Sequence, residues 1–249
     1  MNAQNLSNTK NQTQNADLNT KAESVKTILV TGFEPFGNQS INPSMLLLER
    51  LPKSIGITRI ETLLLPVTFE GAPAKLLEKT DELNPDAVIC LGQAAGRKDI
   101  TLEKVAINYI RATIPDNDGR QPGGSKGCAV VEGGADGLFS TLPLNELLDA
   151  LQEKELPASL SLSAGSYVCN TIMYTILHDG LAHPKRKAGF IHVPLMDEQA
   201  TGECEKMPSL SLETMEKALH VILETMDRIL QIETEKAGSA SLSKGSETA

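Results

Sequence analysis

Lys26-Thr-Ile-Leu-Val-Thr31 is a short apolar run that stops at Gly32, and it reads as a buried β-strand. After a loop, Asn42-Pro-Ser opens a helix over residues 42–51, with Asn42 as its cap and Pro43 at the first helical position. The alternation then repeats. Residues 59–65 read as a strand, 72–80 as a helix halted at Asn84-Pro85, and Ala87-Val-Ile-Cys-Leu91 as a strand ending in Gly92. Residues 101–110 are β-branched and aliphatic enough for one strand. Residues 142–154 carry Leu144, Leu147, Leu148 and Leu151 on one helical side. A strand over 159–163 leads to a helix at 170–178. Ala188-Gly-Phe-Ile-His-Val-Pro194 is a further buried strand, and residues 211–232 form a long helix with an apolar stripe. Strands alternating with helices predict a single-domain α/β/α sandwich around a largely parallel, or mixed, central sheet. Ligand sites in such folds gather at the carboxyl ends of strands, here after Gly32, Gly92 and Val193.

Outward from this core, residues 1–26 and 235–249 are too polar to offset their ordering entropy and are expected to be disordered, which leaves 27–234 as the domain. A formal net charge of -9 argues against nucleic acid or an anionic membrane as partner. No run of about 18 apolar residues is present, and the amino-terminal stretch lacks the apolar segment of a secretory signal, so a cytoplasmic location is expected. The four cysteines show no C-x-x-C pairing and no grouping has zinc-ligand spacing; neither a metal nor another cofactor is indicated. Thr31-Gly after a strand lacks the G-x-G-x-x-G and acidic partner of a dinucleotide site.

Cys169 is the candidate nucleophile. It follows a small-residue turn and begins a helix, where free N–H groups and the helix dipole favour thiolate. Against this stands a buried structural cysteine. A nucleophilic thiol needs a base and a group to orient that base. Of the four histidines, His178 reads as structural, His183 as solvated and His220 as packing or surface. His192, near the end of an apolar strand, is either the base or a satisfied core histidine. Glu103, in an otherwise apolar run, is either a paired buried acid or an edge residue facing water.

Three segments together resemble the pyroglutamyl peptidase I family of cysteine peptidases. They are Thr31-Gly-Phe-Glu-Pro-Phe-Gly37 with Ile41-Asn-Pro-Ser44; Gly92-Gln-Ala-Ala-Gly-Arg97 through Ile100-Thr-Leu-Glu-Lys-Val-Ala-Ile-Asn108 and Ile114-Pro-Asp-Asn117; and Ala164-Gly-Ser-Tyr-Val-Cys-Asn170 with Gly189-Phe-Ile-His-Val-Pro194. The resemblance implies removal of an N-terminal pyroglutamyl residue through a thioester acyl-enzyme, by a triad falling on Glu103, Cys169 and His192. It implies that Phe33 and Phe36 contact the lactam ring, and that Gln93, Ile114, Tyr167 and Val168 line its pocket. It also allows self-association into a dimer or tetramer. A non-catalytic or weakly active binder of pyroglutamyl or lactam ligands on the same fold is the alternative. The chain departs from the family at one point. The family reads Asp-Ala-Arg before Ile-Pro-Asp-Asn, whereas this sequence has Arg111-Ala-Thr113, so Arg111 is the candidate for the supporting cation.

Overall fold

In the computed structural model, which describes residues 25–244 apart from residue 38, β1 (Thr27–Phe33) is buried along its whole length. Such a strand must be covered on both faces, and side-chain alternation divides it. Ile28 and Val30 enter one apolar cluster, while Leu29 and Phe33 enter another. A one-residue slip would exchange the two sets, so the register is strongly specified.

The chain continues through α1 (Pro43–Arg50), β2 (Ser54–Ile55), β3 (Thr58–Leu65), α2 (Gly71–Leu83), β4 (Ala87–Gln93), β5 (Ile100–Glu103), β6 (Val105–Ile107), β7 (Gly137–Phe139) and α3 (Leu144–Glu153). It is completed by β8 (Ala158–Ser161), α4 (Val168–Asp179), β9 (Lys187–Val193), β10 (Leu195–Met196), β11 (Ser209–Leu210) and α5 (Leu212–Lys244). The main sheet has the order β2-β3-β1-β4-β9-β5-β8. β3, β1, β4 and β9 run parallel; β5 is antiparallel to β9 and parallel to β8, so the sheet is mixed at that side. α2 and α4 pack on the face that holds Leu29, Val88, Cys90 and Phe190. α1, α3 and α5 cover the face of Ile28, Ile89 and Ile191. This is the expected α/β sandwich.

Two expectations need correction. Residues 101–110 are not one strand. The chain leaves the main sheet at Lys104, whose N–H donates to Ser161 O (2.7 Å), and then pairs β6 with β7 in a separate antiparallel ribbon. The buried Asn170 side chain holds that ribbon to α4, accepting from Ile107 N (3.0 Å) and donating to Ile107 O (2.9 Å). The last helix also runs past Ile232 through Lys244, into the stretch expected to be a polar tail; Glu, Lys and Ala there are good helix formers. Residues 1–24 and 245–249, the rest of the expected tails, lie outside the described residues.

Candidate active site

His192 stands near the carboxyl end of β9, between Gly92 of β4 and Thr101 of β5, its register partners on either side. Because side chains alternate, Glu103, two residues beyond Thr101, lies on the same face of the sheet. Its Oε1 is 2.7 Å from His192 Nδ1. Both residues are buried. Burial acts to raise the Glu103 carboxyl, but the hydrogen bond and charge of His192, with help from Ser161 and Arg97, outweigh it and hold the group below the usual carboxylate range. Burial likewise pulls His192 below its ordinary value, against the opposing pull of Glu103. The pair is therefore a carboxylate and a neutral imidazole. Nδ1–H donates to Glu103, which leaves the lone pair on Nε2.

Arg97, in the turn after β4, fixes the carboxylate from another side. Nη1 donates to Glu103 Oε1 (2.5 Å) and to Thr101 Oγ1, while Nη2 donates to Ser163 O (2.9 Å). One guanidinium thus joins the acid, the strand beside the imidazole, and the entry to the turn that carries Cys169.

Cys169 is the second residue of α4, after Gly165 at φ +82° and an extended Tyr167. Its sulfur lies over Gly92. A Cβ at position 92 would come within 3.1 Å of Sγ and 2.7 Å of Phe190 Cζ, so glycine is what leaves room for the thiol beside the Phe190 ring. The Phe190 ring in turn packs 4.7 Å from that of His192. In this conformation the thiol makes no hydrogen bond to the imidazole. The expectation that the helix start favours thiolate is reversed. Burial pushes the Cys169 thiol up to about 12, the Glu103 charge adds to this, and Arg97 with the residue's own N–H only partly offset it. These effects favour the neutral thiol, although Cys169 is only half-buried at the edge of the cleft.

The cleft above it, of about 160 Å³, is lined by Phe33, Phe36, Gln39, Ile41, Asn42, Val67, Gln93, Tyr167, Val168 and Cys169. Phe36 and Phe69 each pack against the Tyr167 ring, at 5.4 and 5.0 Å, and Tyr167 Oη donates to Pro115 O (2.9 Å). The loop bearing Phe33 and Phe36 is tied down by Ser44 Oγ, which accepts from Phe33 N (2.9 Å), and by Asn42 Nδ2, which donates to Glu34 O (3.0 Å).

A thiol, a carboxylate-bound imidazole and a neutral, largely apolar cleft suit acyl transfer from an uncharged ring. The family model for pyroglutamyl peptidases matches residues 26–229. The chain belongs to the pyroglutamyl peptidase family. It is similar to the pyrrolidone-carboxylate peptidase of Thermococcus onnurineus, 47% identical over 80% of this chain and 97% of that one. It is also similar to that of Bacillus cereus, 43% identical over 80% and 92%. Among solved structures it resembles pyroglutamyl peptidase I of Bacillus amyloliquefaciens, with a TM-score of 0.75 and 38% identity over 80% and 96% of the two chains. A mutant pyrrolidone carboxyl peptidase of Pyrococcus furiosus gives a TM-score of 0.77 and 38% identity over 82% and 99%. The chain is a cysteine hydrolase of this family.

Within this family member, Phe33, Phe36, Gln93, Tyr167 and Val168 meet in the cleft, but Ile114 is 48% exposed and not part of the lining. Arg111 and Thr113 are both exposed on either side of the buried Ala112. The Arg111 side chain makes no ion pair among the described residues, while its N–H donates to Ser166 O (3.0 Å). Sequence reasoning missed Arg97, although it closes the quoted Gly92–Arg97 motif. It also missed what Asp116 and Asn117 do. Asp116 Oδ2 accepts from Phe69 N (2.9 Å), and Asn117 Nδ2 donates to Pro35 O (3.1 Å), between the two lining phenylalanines.

Proposed function

We propose that this chain hydrolyses the amide bond after an N-terminal pyroglutamyl residue of peptides, with Cys169 as nucleophile, His192 as general base and acid, and Glu103 as the group that orients it. The observation that carries the reading is the 2.7 Å bond from His192 Nδ1 to Glu103, which leaves Nε2 free as base beside a cleft floored by Cys169. As Sγ bonds to the pyroglutamyl carbonyl carbon, the thiol proton passes to Nε2, since a thiol with so high a pKa must lose it during attack. Backbone N–H groups at the start of α4 face the developing oxyanion. Collapse breaks the C–N bond, the imidazolium protonates the leaving amine, and a thioester remains. Water, deprotonated by His192, then releases pyroglutamate and restores the thiol. Glu103 stays ionised throughout and stabilises the imidazolium.

Phe33, Phe36, Tyr167 and Val168 offer apolar surface to a flat, uncharged ring, which a protonated amine would disfavour. Arg111 is the nearest substitute in sequence for the arginine the family carries at 113, and its backbone bond to Ser166 ties it to the Cys169 turn. If it serves there, Arg111→Met lowers kcat and adding T113R restores it. Four unpaired thiols suit a reducing, cytoplasmic setting. The deciding assay is fluorophore release from a pyroglutamyl amide, run beside Cys169→Ala and Cys169→Ser. Absent turnover by wild-type protein favours a binder, and turnover that survives Cys169→Ala removes the mechanism.

A further inference from the structure

Gln199 closes the short 3-10 turn Asp197–Gln199 that follows β10, and it is 5% exposed. Two backbone groups pin its carboxamide. Oε1 accepts from Met196 N (2.9 Å) and Nε2 donates to Ile41 O (3.3 Å). Exchanging oxygen and nitrogen would set donor against donor and acceptor against acceptor, so the orientation is determined by the main chain. The same Nε2 meets Gln93 Oε1 (3.0 Å) and Gln39 Oε1 (3.2 Å). Nε2 has two hydrogens for these three acceptors, so one is shared, and in this arrangement both glutamines turn their oxygen toward Gln199. Their NH₂ groups make no hydrogen bond among the described residues, and both residues line the Cys169 cleft. Asn42, the remaining amide of the lining, is already engaged: Oδ1 accepts from Ser44 N and Ser44 Oγ, and Nδ2 donates to Glu34 O. The amide groups of this cleft left without any hydrogen bond among the described residues are the NH₂ donors of Gln39 and Gln93.

We propose that Gln199 is a specificity-positioning residue. It locks Gln39 and Gln93 so that their N–H groups form a donor wall, which selects a neutral ring bearing a carbonyl over the equally sized ring of an N-terminal proline, whose amine is protonated. This rests on the pyroglutamyl reading above and extends it to a residue outside the cleft. In Gln199→Glu, the introduced carboxylate would keep the Met196 N–H bond but accept where the native carboxamide donates. Gln39 and Gln93 would then turn their NH₂ groups inward and show oxygen to the cleft.

The test compares wild type with Gln199→Glu by calorimetric titration of 2-pyrrolidone, a bare lactam, and of pyrrolidine, the cationic ring, at pH 8. Kinetics on the fluorogenic pyroglutamyl amide run in parallel. The expected result is a 2-pyrrolidone Kd weakened by roughly tenfold to a hundredfold. Pyrrolidine should bind more tightly, KM should rise in step and kcat should hold. A role confined to packing would weaken both ligands together, so an unreversed preference overturns the proposal, as do Kd values within twofold of wild type. If Gln199→Glu does not fold, the double variant Gln39→Met/Gln93→Met, altered at the cleft wall, must weaken 2-pyrrolidone binding; an unchanged Kd overturns it. Wild-type protein without turnover would instead remove the activity itself, while the Kd comparison still decides the wall.

Discussion

Gly92→Ala is a one-carbon change whose consequences can be worked out atom by atom. The added Cβ would lie 2.7 and 2.9 Å from Phe190 Cζ and Cε1 and 3.1 Å from Cys169 Sγ. The closest of these contacts falls about 0.7 Å short of ordinary van der Waals separation. Phe190 cannot yield into solvent, because it is fully buried, with the Phe33 ring centroid at 6.4 Å and that of His192 at 4.7 Å. The strain must be passed to the imidazole, to the thiol, or to both. Overpacking of this kind costs about 1–3 kcal/mol, and each kcal/mol lowers the melting temperature of a domain this size by roughly 2–4 °C. Misplacement of a nucleophile or base approaching 1 Å costs about a hundredfold in rate. Kinetics on a fluorogenic pyroglutamyl amide, read beside thermal unfolding, should show kcat falling by about that factor and a modest loss of stability. A variant with kcat within twofold of wild type and an unchanged melting temperature would refute the claim that Gly92 makes the room that the thiol and the Phe190 ring both need.

Arg97→Met removes a cation that disfavours protonation of His192, so the acidic limb of kcat/KM should move to higher pH. Since Arg97 is 26% exposed, a loss of about 1–2 kcal/mol is expected rather than the full penalty of a buried pair, with Arg97→Lys intermediate. Glu103→Gln should matter for stability only above the ordinary carboxylate range. The folded pKa of Glu103 lies below its unfolded value, so its contribution is present above the unfolded pKa and lost as pH falls through the folded one; wild-type and variant melting temperatures should converge toward acid. Alkylation followed by mass spectrometry should label the exposed Cys128 without loss of activity and leave the buried Cys90 unmodified, whereas inactivation should track Cys169. Inactivation that tracks Cys128 or Cys204 would exclude Cys169 as nucleophile.

The strands β1, β4 and β9 were legible because each is a short apolar run closed by glycine or proline, and burial on both faces leaves little else such a run can be. The direction of β5 was not. Its four residues fix no orientation by themselves, and what reverses it is the chain's path around β9. Cys169 was legible as the opening of a helix, but a helix start does not reveal the Glu103 charge and the partial burial that push the thiol up. Arg97 carried no periodic signal. Its partners Glu103 and Ser163 meet only once β5 and β8 are paired. Gln199 was hidden for the same reason, since its contacts reach back to residues 39 and 93. The three quoted segments supplied what periodicity lacked, and they named Ile114 for a cleft that it does not line.

The reversed β5 also sets a timetable. Glu103 and His192 are 89 residues apart along the chain, and their contact requires β5 to be laid against β9. Closing so long a loop is entropically expensive before any contact rewards it, and pairings of large sequence separation are the slow events of folding. Helical signal and burial of the β1–β3–β4 core require no such closure. On refolding from denaturant, far-ultraviolet dichroism should therefore recover ahead of peptidase activity, and enzyme turnover becomes a clock for completion of the sheet.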